Sequence, residues 1–296
     1  MAEADGLGTV FVKMHGLGND FVLFDFVKAN AFTDADAARW ARGAVRLCNR
    51  RTGVGADGVV LVLPSDHADV RMVIFNSDGS EARMCGNASR CVAVYAQDSG
   101  LARGPSVSIE AKGATVRAEV ILEGEFAGQV RVDMGAPVFR PDRIPVAAAG
   151  PFVVGEAHDL AAGRFEITCV SMGNPHCVVF VPDVAAVDLE RLGPAIERDP
   201  LFPDRTNVEF VQVNGKEDLT VRVWERGAGP TLACGTGACA SLVAASRRGF
   251  SGRSARVHLP GGTLFVEWNE DDHVFMTGPA THVFTGIIDD LEEWLK

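Results

Sequence analysis

Cys85-Gly86-Asn87-Ala88-Ser89 and Cys234-Gly235-Thr236-Gly237-Ala238 stand 149 positions apart, one in each half of a chain of 296 residues. Their upstream flanks agree at the same offset: Phe75-Asn76 lies ten and nine residues before the first cysteine, and Trp224-Glu225 lies ten and nine before the second. Gly58 and Asn207 are again 149 apart, each opening an apolar run, and Gly18-Asn19 recurs as Gly173-Asn174 at an offset of 155. Four ordered landmarks within six residues of one offset read as an internal duplication with one thiol per copy.

Working outward, β-rich or alternating runs appear at Val10 to Lys13, Phe21 to Val27, Val59 to Leu63, Val70 to Phe75, Val107 to Val120 and Val130 to Met134. Two helices interrupt them. One spans Asp34 to Arg50 with Asp34 as its cap; the other begins just after Cys85 and runs to about Gln97. A proline-rich stretch, Pro137, Pro141, Pro145 and Pro151, separates the halves. The second half repeats the order, with strands near Phe165 to Val170, Cys177 to Val181, Val208 to Val213 and Leu219 to Trp224. A helix from Gly235 to Arg247 follows, then strands at Ala255 to Leu259, Thr263 to Trp268 and Val274 to Met276. Many short strands with few helices indicate an α+β architecture rather than a βαβ sheet.

With 47% hydrophobic and 23% charged residues, the chain has enough apolar content for one large or two medium cores. A net charge of −11, with no basic block, argues against a nucleic-acid or anionic-membrane surface and for a small-molecule partner. Met1-Ala2-Glu3-Ala4-Asp5 carries no targeting signal, and the apolar runs are too short to span a bilayer. Seven cysteines, odd in number and dispersed, point to a reducing cytoplasm.

Each Cys-Gly follows a strand and a turn and opens a helix, where the first backbone N–H groups lack intrahelical partners. Such a terminus binds anions and is expected to lower a thiol pKa toward neutrality. Gly86 and Gly235 leave room for a carboxylate to approach those N–H groups. Two such units facing one another would place an α-carbon between two sulfurs. A thiolate on one side would remove its proton while a thiol on the other returns one to the opposite face. The sequence offers no obvious lysine for a Schiff base.

Met14-His15-Gly16-Leu17-Gly18-Asn19-Asp20-Phe21, Phe75-Asn76-Ser77-Asp78-Gly79-Ser80-Glu81 running to Cys85-Gly86-Asn87, Gly173-Asn174-Pro175-His176, and Glu225-Arg226-Gly227-Ala228-Gly229 running to Cys234-Gly235-Thr236-Gly237 together resemble the diaminopimelate epimerase family. The resemblance extends from Val12 to about Gly286. It implies two pseudo-symmetric domains, each a mixed curled β-sheet, barrel-like, around a central helix. The last strand would return to the first domain, giving residues 1–132 plus 279–296 and residues 133–278. It also implies a cofactor-independent, homodimeric isomerase that interconverts LL- and meso-2,6-diaminopimelate in lysine and peptidoglycan precursor synthesis.

Carried over by position, Cys85 and Cys234 become the acid/base pair, and the backbone around Gly86-Asn87 and Gly235-Thr236 holds the reacting carboxylate. Asn19, Asn76, Asn174, Asn207, Glu225 and Arg226 read the distal amino-acid group, with His176 a possible neighbour of the substrate. These residue types suit the task. Arg226 has a planar fork for a carboxylate, Glu225 a charge for an ammonium, and asparagines both donors and acceptors. The alternative on the same duplicated plan is a proline racemase-like or phenazine-pathway-like isomerase, whose substrate would have little use for Glu225 and Arg226.

The remaining cysteines, Cys48, Cys91, Cys169, Cys177 and Cys239, read as small buried hydrophobes. Neither Cys85 to Cys91 nor Cys234 to Cys239 has the spacing of a structural zinc site, so no metal is expected.

Overall fold

The computed structural model describes residues 8–28 and 32–296, so the acidic stretch Met1 to Asp5 lies outside the described residues. The chain divides into two compact units, residues 1–132 with 278–296 and residues 133–277. The first begins with β1 (Thr9–Gly16), β2 (Asn19–Asp25), α1 (Ala37–Leu47), β3 (Gly58–Leu63), β4 (Val70–Asn76) and β5 (Glu81–Ala82). It continues through α2 (Gly86–Asp98), β6 (Ser106–Ala111), β7 (Ala114–Val120) and β8 (Val130–Asp133). The second holds β9 (Val154–Leu160), β10 (Gly163–Ser171), β11 (Pro175–Phe180), α3 (Leu189–Glu197), β12 (Asn207–Gly215), β13 (Asp218–Glu225) and β14 (Gly229–Thr231). Then come α4 (Gly235–Arg247), β15 (Ser254–Leu259), β16 (Gly262–Trp268) and β17 (Val274–Gly278). The chain ends in β18 (Thr281–Ile288) and α5 (Leu291–Leu295), both of the first unit.

In the first unit β1 is antiparallel to both β18 and β2, β2 is parallel to β3, and β3 is antiparallel to β4. β4 takes β5 antiparallel near one end and β6 parallel near the other, and β7 and β8 follow antiparallel. The second unit repeats this pattern from β9 to β17, parallel at β11/β12 and at β13/β15. Even the register is kept: Phe75 pairs with Glu81, and Trp224 pairs with Pro230. Each row of strands is mixed and curled, as expected, and does not close on itself.

Each unit wraps its second long helix. α2 packs against β1, β4, β6 and β7, and nine of its 13 residues are buried. α4 packs against β10 to β13, β15 and β16 with ten of its 13 buried. A helix covered on most sides needs small or apolar residues around its circumference. Ala88, Ser89, Cys91, Val92 and Ala93, and likewise Ala238 to Ala245, supply them. α1 differs in kind, burying one face made of Trp40, Gly43, Ala44 and Leu47 against Phe24, Leu61 and Phe75.

Several elements depart from expectation. The helix predicted over Asp34 to Arg50 begins only at Ala37, after a 3-10 turn at Asp34–Asp36, and ends at Leu47. The cap position falls on Asp36, whose carboxylate accepts the N–H and hydroxyl of Thr33, both at 2.8 Å. The run Val107 to Val120 is two strands, because Lys112-Gly113 turns the chain with Gly113 at φ 83°. α3 is absent from the sequence reading because Gly193-Pro194 looks like a breaker. Asp188 caps it by accepting the Arg191 N–H at 3.3 Å, and Gly193 is required because a Cβ there would lie 2.5 Å from the Trp224 ring.

Candidate active site

In the first unit the hairpin Leu17-Gly18 turns with both residues at positive φ, 55° and 84°, a pairing that matches the twist of adjacent antiparallel strands. It delivers Asn19 at the head of β2 toward the start of α2. Asn19 Oδ1 accepts from Asn87 Nδ2 at 3.0 Å and lies 3.8 Å from Cys85 Sγ. Its own Nδ2 donates to Asp57 Oδ2 at 2.9 Å. Cys85 is half-buried, in extended backbone at φ −143°, and is the residue from which α2 departs. Its carbonyl accepts from the Ser89 N–H at 2.9 Å, closing the first turn.

Beneath that turn lies Arg90, fully buried. It donates to Pro279 O at 3.0 Å and Asn87 Oδ1 at 2.9 Å. A side chain at Gly16 would meet Arg90 at 2.7 Å, which explains the glycine in Met14-His15-Gly16. Farther out, Arg50 grips Asp20 at 2.6 and 3.1 Å and Asp57 at 2.8 Å, while Lys13 pairs with Asp20 at 2.6 Å. Burial alone would push the Asp20 carboxyl up, but hydrogen bonds from Arg50 and Lys13 outweigh it and hold it at about 2. Asn76, at the end of β4 opposite Gly58, is exposed and donates to Ser80 Oγ at 2.9 Å.

In the second unit Cys234 starts α4 in the same manner at φ −116°. It is buried, and its sulfur accepts from the Gly237 N–H at 3.3 Å and lies 3.5 Å from Thr236 Oγ1. Asn174 Nδ2 reaches Thr236 Oγ1 at 3.3 Å, and Asn174 Oδ1 stands 2.9 Å from Nε2 of the fully buried His176. Asn207 commits both ends of its amide to backbone, donating to Pro175 O at 2.7 Å and accepting the Arg226 N–H at 2.9 Å. Arg226 is exposed and its guanidinium donates to Asp204 O at 3.1 Å; Glu225 Oε1 accepts from Thr231 Oγ1 at 2.5 Å.

The expectation of a depressed pKa fails at Cys234. Burial pushes its thiol well above the usual range, and the nearby Glu225 and Glu209 push the same way. The opposing hydrogen bonds from Thr236 and Gly237 do not offset them. The Glu225 carboxyl is itself raised by burial. The five other cysteines are buried, and burial drives Cys48 and Cys91 up to about 12. Among the described residues no group of His, Cys, Asp and Glu is arranged to hold a metal.

The structure thus gathers Cys85, Gly86, Asn87 and Asn19 at one helix start, and Cys234, Gly235, Thr236, Asn174, His176 and Glu225 at the other. The sequence reading passed over Asp57, Arg90 and Glu209. Asp57 had a signal, since it precedes the Gly58 landmark; Arg90 and Glu209 had none, being single charges inside otherwise ordinary helix and strand patterns.

The fold and the repeated cysteine-headed helix define an internally duplicated α+β class of protein. The chain is similar to the phenazine biosynthesis protein of the PhzF family from Bacillus anthracis, with TM-score 0.66 and 18% identity over 95% of this chain and 98% of that one. It is likewise similar to a probable proline racemase from Agrobacterium radiobacter K84, with TM-score 0.69 and 17% identity over 95% and 92%. At such identities the likeness is one of fold alone. The diaminopimelate epimerase family model matches residues 11–140 and 168–283. A diaminopimelate epimerase from Desulfitobacterium hafniense is 52% identical over 277 residues, 94% of this chain and 97% of the relative. The chain belongs to the diaminopimelate epimerase family, and the proline racemase-like and phenazine-pathway-like alternative is not favoured.

Proposed function

We propose that the protein is a cofactor-independent epimerase that interconverts LL- and meso-2,6-diaminopimelate, supplying lysine and peptidoglycan precursors. The observation that carries this reading is the repeat of one unit, a cysteine in extended backbone heading a buried helix, in a chain of this family. In a two-base scheme one sulfur, as thiolate, takes the α-proton, and the other, as thiol, returns one to the opposite face. The backbone N–H groups that open the helices at Gly86-Asn87 and Gly235-Thr236 would stabilise charge developing on the reacting carboxylate.

We give Cys234 the thiol role at rest, since its burial, with the Glu225 carboxyl beside it, disfavours its anion. Asn19, Asn76, Asn174, Asn207, Glu225 and Arg226 are assigned to the distal amino-acid group. A simple amino acid, lacking the distal group, would leave the charges of Glu225 and the exposed Arg226 without a counterpart on the substrate. We place the enzyme in the cytoplasm. No helix among the described residues is long and apolar enough to cross a membrane, and none of the seven cysteines is paired. We also assign it a homodimeric state, supported by the outward residues of β18, where Val283, Phe284 and Ile287 are about half exposed.

The test is incubation of the reduced protein with diaminopimelate in deuterated water without added pyridoxal phosphate or metal. Deuterium is expected at the α-carbon together with interconversion of the isomers. Absence of both in folded, reduced protein would sink the proposal. Equal turnover of proline would remove the role given to Glu225 and Arg226.

A further inference from the structure

Val208-Glu209-Phe210 alternates as a half-buried strand does, which would turn Glu209 to solvent. β12 is instead covered by both α3 and α4, and Glu209 is fully buried. Its Oε1 lies 2.7 Å from Nδ1 of His176, whose Nε2 lies 2.9 Å from Asn174 Oδ1. The imidazole therefore stands between two oxygens, and the amide oxygen has no hydrogen to give. Nε2 must carry one. A second proton must occupy the Nδ1 to Oε1 contact, whichever atom owns it. The other carboxyl oxygen, Oε2, is buried without a hydrogen-bond partner among the described residues, which disfavours a fully ionised carboxylate. Burial pushes the carboxyl pKa up, against the pull of His176. The pair is neutral overall and shares one proton.

The direction of every later bond follows. Asn174 Oδ1 accepts from Nε2–H, so Asn174 Nδ2 donates to Thr236 Oγ1 at 3.3 Å. Thr236, having accepted, turns its own hydrogen toward Cys234 Sγ at 3.5 Å, beside the Gly237 N–H at 3.3 Å. Position 237 is closed by the same groups, since a Cβ there would lie 2.9 Å from Glu209 Oε1 and 3.2 Å from the sulfur. Besides His176, titratable groups that feel Glu209 include Cys177, Glu225 and Cys234.

We propose that Glu209 is a positioning residue: through the proton it shares with His176 it fixes the direction of a hydrogen-bond chain that ends with the Thr236 hydroxyl donating to Cys234 Sγ. The chain supplies a donor to the sulfur whenever Cys234 has given up its proton. This rests on Cys234 being one of the two acid/base groups, but the direction of the chain can be read without turnover.

Nitrogen-15 NMR of the full-length, substrate-free protein labelled at histidine, with His176→Gln identifying the resonance, is expected to show Nε2 of His176 protonated at neutral pH. A bare Nε2 would mean that Asn174 donates to the ring and would overturn the proposal. In turnover, Glu209→Gln still offers Nδ1 a donor and keeps Nε2–H, so kcat should stay within about threefold. Glu209→Leu frees the ring to change tautomer, and kcat should fall on the order of 10- to 100-fold with KM within about twofold. Wild-type kcat in Glu209→Leu, or equal loss in Glu209→Gln, refutes the role. If the wild-type protein shows no deuterium exchange, the activity reading fails while the NMR result still decides the direction of the chain.

Discussion

Cys85 and Cys234 occupy the same place in the same repeated strand-turn-helix unit, but their neighbours differ in sign and in wetness. Around the half-buried Cys85 stand amides, Asn19 and Asn87, backed by the buried guanidinium of Arg90 and by acids already gripped by Arg50 and Lys13. Around the buried Cys234 stand Glu209 and Glu225, with His176 bonded to the first. The backbone of the repeat supplies position and N–H donors twice over. What divergence between the copies supplies is a different setting for each sulfur, half-buried among amides at Cys85 and buried beside carboxyls at Cys234.

The largest effect should come from deleting either sulfur. Cys85→Ala and Cys234→Ala are each expected to lower epimerisation by about 1,000-fold, within the range for loss of a positioned acid or base. Coupled isomer analysis measures it. A single variant that retains activity would break the symmetry of roles. A smaller effect should separate the copies: in peptide-resolved alkylation with iodoacetamide at pH 7, Cys85 should react first. Because the Glu225 carboxyl adds to burial in pushing the Cys234 thiol up, Glu225→Gln should increase labelling of Cys234. Unchanged labelling would remove Glu225 from the account of the difference.

The smallest effect concerns the charges behind Cys85. Asp20 is held at about 2 against an ordinary 3.8, so its contribution to stability is present above about pH 4 and lost as pH falls toward 2. Arg50 is largely exposed, and screening reduces that contribution to about 1 kcal/mol. Asp20→Asn should therefore flatten the loss of stability between pH 4 and 2 in urea titrations. An unaltered acid limb would show that the pairs near Cys85 are energetically idle.

The two cysteine-headed helices were legible because a cysteine and glycine, followed by small residues, end a strand-turn pattern at one fixed offset. α3 was not, since Gly193 and Pro194 argue against a helix and only packing of Gly193 under Trp224 reveals its use. The offset itself held a clue: a helix between Asn19 and Gly58 implies one between Asn174 and Asn207. β9 escaped, and β18 was expected only from the family resemblance, because Val-Gly-Glu-Ala-His-Asp-Leu and Thr-His-Val-Phe-Thr-Gly-Ile-Ile are mostly exposed or half-exposed and show little periodicity. Glu209 was invisible for the opposite reason, since strict alternation is a rule for strands with one wet face and the first five residues of β12, Asn207 to Val211, have none. The lowered thiol pKa expected at Cys234 failed on tertiary neighbours that a local helix-terminus argument does not contain.

The pairing of β1 with β18, Thr9 against Ile288, has a consequence for the order of events at the ribosome. The unit spanning 133–277 is contiguous and can fold as soon as its last strand has emerged. The other unit begins first yet must wait for nearly the whole chain, with the outer row of β1 hydrogen-bonding groups unpaired until residues 281–288 are synthesised.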